Sequence, residues 1–115
     1  KNVPREDYLC FLKESNCLIG NSSSGILEAP SFKIPVVNIG SRQEGRVRSK
    51  NVIDVEYFTQ EDIVNAINEA SSKNFAKKLN DTKNPYGNGE SSKKIIDILI
   101  DLKGHKNLLK KRITY

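Results

Sequence analysis

The densest run of chemistry-bearing side chains is Leu18-Ile19-Gly20-Asn21-Ser22-Ser23-Ser24-Gly25-Ile26-Leu27-Glu28, where three successive hydroxyls lie between two glycines after a short apolar stretch. Hydroxyls donate to phosphate oxygens, and a helix starting here adds free backbone N–H groups and the positive end of its dipole. Gly20 and Gly25, lacking Cβ, let backbone come close to a ligand. The carboxylate of Glu28, a little over one turn further on, suits paired hydroxyls such as those of a ribose. A plainer alternative stands beside this one: a single serine caps the helix and Glu28 complements the dipole.

A second constellation follows in Asn38-Ile39-Gly40-Ser41-Arg42-Gln43-Glu44-Gly45-Arg46-Val47-Arg48. Arginine suits a diphosphate because its guanidinium donates two parallel hydrogen bonds and stays charged at neutral pH. An Arg-rich loop is also commonly just solvated. Its place, one strand after the serine run and at the same end of a parallel sheet, favours a shared ligand.

These residues need elements to position them. Pro4-Arg5-Glu6-Asp7 reads as a helix start, with Tyr8, Leu9 and Leu12 on one face. Cys17-Leu18-Ile19, Val36-Val37-Asn38-Ile39 and Val52-Ile53-Asp54-Val55 read as short buried strands. Ser23 to Phe32 reads as a helix in which Pro30 must sit near the first turn or kink it. Thr59 caps a helix running to about Ser72, with Asp62 as capping-box acid and Phe58 stapled on Ile63. Residues 73–88 look polar and end in the turn cluster Asn84-Pro85-Tyr86-Gly87-Asn88-Gly89. Ser91 to Lys103 alternates partly like a strand, but its length and the Gly104 stop favour a helix. The order is that of an open α/β parallel sheet.

Composition narrows the function classes. At 115 residues, 37% hydrophobic and 29% charged, the chain has the make-up of one soluble domain. It lacks the ~20-residue apolar run of a membrane span. The formal net charge is +5, but residues 1–100 hold 14 Lys+Arg against 13 Asp+Glu, and residues 101–115 hold five against one. The basic excess is therefore a tail, residues 104–115, with Leu108 and Leu109 too few to anchor it in a membrane. It has no aromatic interleaving for stacking on bases, so neither nucleic acid nor membrane is expected as a partner. Two cysteines, Cys10 and Cys17, form no C-x-x-C motif and are expected to be reduced core residues of a cytoplasmic protein. His105 has no ligating partners near it, and no metal is expected. Three short strands make a thin sheet, and a chain opening on Lys1 without any Met is expected to be a truncated one.

Asn21 to Phe32, followed by Ile34-Pro35-Val36-Val37-Asn38-Ile39-Gly40-Ser41-Arg42-Gln43-Glu44-Gly45-Arg46, resembles the C-terminal region of UDP-N-acetylglucosamine 2-epimerases. Asn-x-Gly-x-Arg-Gln-x-Gly-Arg is closer to the hydrolysing branch, and the Asn84–Gly89 cluster is similar to a loop of both branches. The resemblance spans residues 1–103. It implies the C-terminal part of a Rossmann-like domain in a two-domain, glycosyltransferase-B-type architecture. The missing N-terminal domain would belong to the same chain, and a UDP-sugar would lie between the domains of a homo-oligomer.

Carried over by position, Ser22 and Ser23 would hold the diphosphate with Gly25 beside them, Glu28 would bind the ribose hydroxyls, and Arg42 would clamp phosphate. The implied reaction eliminates UDP to a glycal and adds water with inversion at C2, using no cofactor. The family's acid/base carboxylates match nothing in these residues, so no catalytic residue is expected among them and no turnover from these residues alone. The competing expectations are a UDP-sugar glycosyltransferase domain, which gives no reason for the Arg42-Gln43-x-Gly45-Arg46 continuation, and a non-catalytic module binding anions or nucleic acid.

Overall fold

The computed structural model describes residues 2–57 and 59–102. Pro4 precedes helix α1 (Arg5–Glu14), with Glu6 and Asp7 in the first turn and Lys13 in the last, each charge on the side the helix dipole favours. Leu12 is buried and Tyr8 half-buried on its inner face. Cys10 lies two positions from each, about 200° around the helix, and is exposed. That corrects the expectation of two core cysteines: helical phase, rather than apolar neighbours in sequence, decides which way Cys10 faces. Cys17 is half-buried. Burial pushes its thiol up from its ordinary value, against a weaker downward pull from a backbone hydrogen bond to Val37.

Strands β1 (Leu18–Gly20), β2 (Val36–Ile39) and β3 (Val52–Val55) form one parallel sheet in the order β1-β2-β3. Leu18 pairs with Val36 and Val36 with Val52. Because side chains alternate along a strand, these three share one face with Leu12, Ala29, Ile34, Tyr8 and Phe32. Val37 and Val55 point to the other face, against Ala66, Ala70, Ile63 and Ile67. Helices thus pack on both faces at β2 and β3, as a parallel sheet requires. β1 departs from the buried strand expected, because Ile19, on the same face as Val37, is 47% exposed.

The stretch expected as one helix is two: α2 (Ser24–Leu27) and α3 (Ala29–Phe32), broken at Glu28 with φ −111° and ψ −47°. Pro30, with no N–H to donate back to Ile26, stands in the first turn of α3. Helix α4 (Gln60–Ala70) starts as expected, Thr59 Oγ1 accepting from the Asp62 N–H at 3.2 Å. The Asp62 carboxylate accepts from the Thr59 hydroxyl at 2.5 Å.

A further helix, α5 (Lys73–Asn80), lies in the segment read as merely polar. Ser72 caps it by accepting from the Phe75 N–H at 3.1 Å, and Phe75 is buried. One apolar anchor and a cap suffice here because α5 packs on α4. Helix α6 (Ser91–Asp101) resolves the ambiguous last element as helical, with no buried residue. The Phe58 staple, the Gly104 stop, His105, Leu108-Leu109 and the basic tail lie outside the described residues. Among the described residues no helix is long and apolar enough to cross a membrane.

Candidate functional site

β1 ends at Gly20, whose φ of +139° is strained for any side-chain-bearing residue; the chain turns there into the serine loop. Ser22 is exposed and Ser23 half-buried. The Ser22 carbonyl accepts from the Gly25 N–H at 3.2 Å, and the Ser23 carbonyl from Ile26 and Leu27 at 3.0 and 2.9 Å. The Ser22 and Ser23 N–H groups donate to nothing among the described residues. These amides, with the Ser23 hydroxyl, form the kind of unpaired donor set an anion satisfies. Ser22 Oγ also accepts from the Ser24 N–H at 3.3 Å, so Ser22 takes part in capping as well.

Ser24 departs from the expectation that all three hydroxyls face a ligand. It is buried, accepts from the Tyr8 hydroxyl at 2.7 Å and donates to Glu28 Oε2 at 2.6 Å. A hydroxyl has one proton to give, and this one is given inside the protein. At Gly25 a Cβ would stand 2.7 Å from Val36 Cγ1, and its N–H is already taken by the Ser22 carbonyl, so its missing side chain seats α2 on β2.

Glu28 sits at the break between the two short helices, its side chain 21% exposed. Oε2 holds the Ser24 proton, while Oε1 is 2.8 Å from Arg5 Nη1, on a side chain 72% exposed. Glu28, Arg5, Tyr8, Ser23 and Ser24 line a common cavity of about 520 Å³. Ser23 therefore belongs to both the donor-rich loop and the carboxylate-lined cavity.

The loop after β2 docks on the serine loop. Gln43 is buried and its Nε2 donates to the Asn21 carbonyl at 2.8 Å. Arg42 is exposed, with Nη1 at 3.4 Å from Asn21 Oδ1, long for a hydrogen bond and easily exchanged. Arg48 is committed elsewhere: it lies 2.7 Å from Asp54 Oδ2 and donates to the Arg46 carbonyl at 3.0 Å. Asp54 in turn accepts from buried Asn38 at 2.7 Å. Of the arginines following β2, Arg42 is the one whose guanidinium reaches the serine loop among the described residues.

Three participants escaped the sequence reading. Tyr8 was assigned to a packing face, Arg5 to a helix start, and Gln43 to a motif without a role. Only the tertiary fold puts Tyr8 beside a residue 16 positions away and Gln43 beside one 22 away. The Asn84 turn cluster, for its part, is structural in this site. Asn84 Nδ2 donates to the Leu27 carbonyl at 2.8 Å and to Ser31 Oγ at 2.7 Å, pinning the corner where α2 meets α3.

Residues 1–100 match the profile of the family described as UDP-N-acetylglucosamine 2-epimerase. The chain belongs to that family. It is 41% identical over 106 residues to the polysialic acid biosynthesis protein P7 of Escherichia coli, covering 92% of this chain and 27% of that protein. It is 40% identical over 115 residues to the UDP-N,N'-diacetylbacillosamine 2-epimerase (hydrolyzing) of Legionella pneumophila, covering 100% of this chain and 29% of the relative. A Listeria monocytogenes crystal structure described as a UDP-N-acetylglucosamine 2-epimerase superposes with a TM-score of 0.71 at 19% identity, over 99% of this chain and 31% of that one. At that identity the likeness establishes the α/β fold. The chain thus spans under a third of the length of the relatives it matches.

Proposed function

We propose that these residues form the UDP-gripping part of a hydrolysing 2-epimerase acting on a UDP-2-acetamido sugar, within a two-domain, glycosyltransferase-B-type enzyme of the cytoplasm that assembles as a homo-oligomer. The observation that carries this is the serine loop: amides at Ser22 and Ser23 with no partner among the described residues, and the loop bearing Arg42 docked beside them through Gln43. The Legionella relative, matched over the whole chain, is named as a hydrolysing enzyme, which favours that branch.

In the proposed reaction a base removes the C2 proton of the sugar while the C1–O bond to UDP breaks, giving a glycal and UDP. Water then returns hydroxyl to C1 and a proton to the opposite face of C2, releasing an N-acetylmannosamine-type sugar. The residues described here serve the leaving group. The Ser22 and Ser23 amides, the Ser23 hydroxyl and Arg42 offset the charge that builds on the diphosphate as the bond breaks. Glu28 orients the nucleotide through its ribose hydroxyls. The acid and base are proposed to lie in the part of the family's length that these residues do not span, so the 115-residue chain by itself is expected to release no UDP.

Incubating the protein as its gene encodes it with UDP-N-acetylglucosamine and with its 2,4-diacetamido analogue in deuterated water tests the reaction. Free UDP and a C2-inverted, C2-deuterated free sugar are expected from one of them. A C2-inverted product still bound to UDP would overturn the hydrolysing assignment. UDP release that waits on an added acceptor would point to a glycosyltransferase.

A further inference from the structure

Glu28 is a carboxylate with two unequal oxygens. Oε2 accepts a 2.6 Å hydrogen bond from Ser24, a buried hydroxyl whose own oxygen accepts from Tyr8 at 2.7 Å. Among the described residues Oε1 meets only Arg5, at 2.8 Å, through a side chain 72% exposed. An ion pair so open to water is worth little and exchanges readily. The donor chain behind Oε2 differs in kind. It ties α1 to α2 across the cavity, and each hydroxyl in it has one proton and one direction in which to send it.

We infer that Tyr8 and Ser24 are positioning residues for Glu28, forming a relay that fixes Oε2 and presents Oε1 to the vicinal diol of a nucleotide ribose, with Arg5 as the partner that the diol displaces. The inference rests on the proposed UDP site and specifies which oxygen works and what holds it. Two features of the fold support it. Glu28 closes α2, its N–H donating to the Ser24 carbonyl at 2.9 Å, so its carboxylate lies one turn above the Ser24 hydroxyl that Tyr8 orients. The cavity of about 520 Å³ that Glu28 lines with Arg5, Tyr8 and Ser23 leaves space beside the carboxylate for a sugar ring. Ser24 accordingly acts through Glu28 and not on phosphate.

The test compares three ligands, UDP, 2′,3′-dideoxyuridine diphosphate and inorganic pyrophosphate, by calorimetry on the protein as its gene encodes it. The diol contribution is the ratio of the first two affinities. In the unsubstituted protein UDP is expected to bind about tenfold tighter than its dideoxy analogue. In Tyr8→Phe, which keeps the ring, and in Ser24→Ala, that ratio is expected to fall to within about twofold of unity. Pyrophosphate affinity should hold in both. A merely structural loosening would weaken all three ligands together and would overturn the relay.

The two levels of failure are distinguishable. Equal binding of UDP and its dideoxy analogue by the unsubstituted protein removes the ribose role of Glu28 and the relay with it. A tenfold ratio that survives both substitutions removes the relay alone. The unsubstituted protein also gives a reading that no folding defect can obscure: the Ser24 hydroxyl proton should shift in the NMR spectrum on adding UDP and stay fixed on adding pyrophosphate. Its failure to shift with UDP overturns the proposal.

Discussion

The serine loop and the carboxylate a few residues beyond it are close in sequence and differ in what they hold ready. In the loop, among the described residues, the Ser22 and Ser23 amides are unpaired and Arg42 makes only a 3.4 Å contact. At Glu28 both oxygens are filled, one by a buried hydroxyl and one by an exposed arginine. The difference lies in what each end must do on binding. Donors already aimed need no rearrangement when an anion arrives, which is the condition for strong electrostatic stabilisation. An acceptor already paired must give up a partner first, so its net contribution is smaller and its selectivity greater. In the proposed site one end grips and the other discriminates.

The largest expected effect tests the gripping end. Arg42→Ala should cost about 1.5–3 kcal/mol of UDP binding, the range for hydrogen bonds to charged groups, as read by calorimetry. Unchanged affinity would mean that the docked loop serves structure alone. Gly25→Ala should cost a comparable ~1–3 kcal/mol, but in stability, because its new Cβ would sit 2.7 Å from the stiff side chain of Val36. Thermal or urea melting reads that loss. A stable variant that fails to bind UDP would return Gly25 to the ligand and refute its packing role.

Glu28→Gln sharpens the contrast between the two ends. It should weaken UDP by about 1 kcal/mol and leave inorganic pyrophosphate unaffected, since the amide keeps one acceptor and loses the charge. Equal losses for both ligands would erase the division of labour. Ser23→Ala should cost ~0.5–1.5 kcal/mol toward UDP and pyrophosphate alike, one neutral hydrogen bond in either case. Smallest is a chemical difference between the cysteines. Burial raises the Cys17 thiol above its ordinary value and shields it, while Cys10 is exposed to reagent, so iodoacetamide should label Cys10 first. Equal rates would show that β1 opens readily.

Much of the fold was legible from pattern. The three strands read as such because each is a short apolar or near-apolar run bounded by Gly, Pro or polar residues, and the Thr59 start of α4 was marked by its cap. Helix α5 was missed because its lysines and asparagines made the segment read as polar, although Phe75 and Leu79, four residues apart, mark one helical face behind the Ser72 cap. The continuous reading of 23–32 erred for a reason present in the sequence, Pro30, whose effect was anticipated as a constraint but not as a break. The site was legible to the extent that it is local. Ser22, Ser23 and Glu28 could be named as candidates because strand, loop and helix start follow one another along the chain. Arg42 could be placed because parallel strands bring successive loops to one end.

By itself, then, the sequence determined the period of each strand, the caps, the proline break and the local order of donors and carboxylate. All of these depend on residues within a few positions of each other. Which hydroxyl stays free, which arginine stays unspent and what holds Glu28 were decided only when α1 packed against α2 and the loop after β2 met the loop after β1. Those choices join local bonds, such as Ser24 to Glu28, to bonds between residues 16 and 22 positions apart, Tyr8 to Ser24 and Gln43 to Asn21. A proton has one destination, and nothing along the chain names it until the partners are brought within reach.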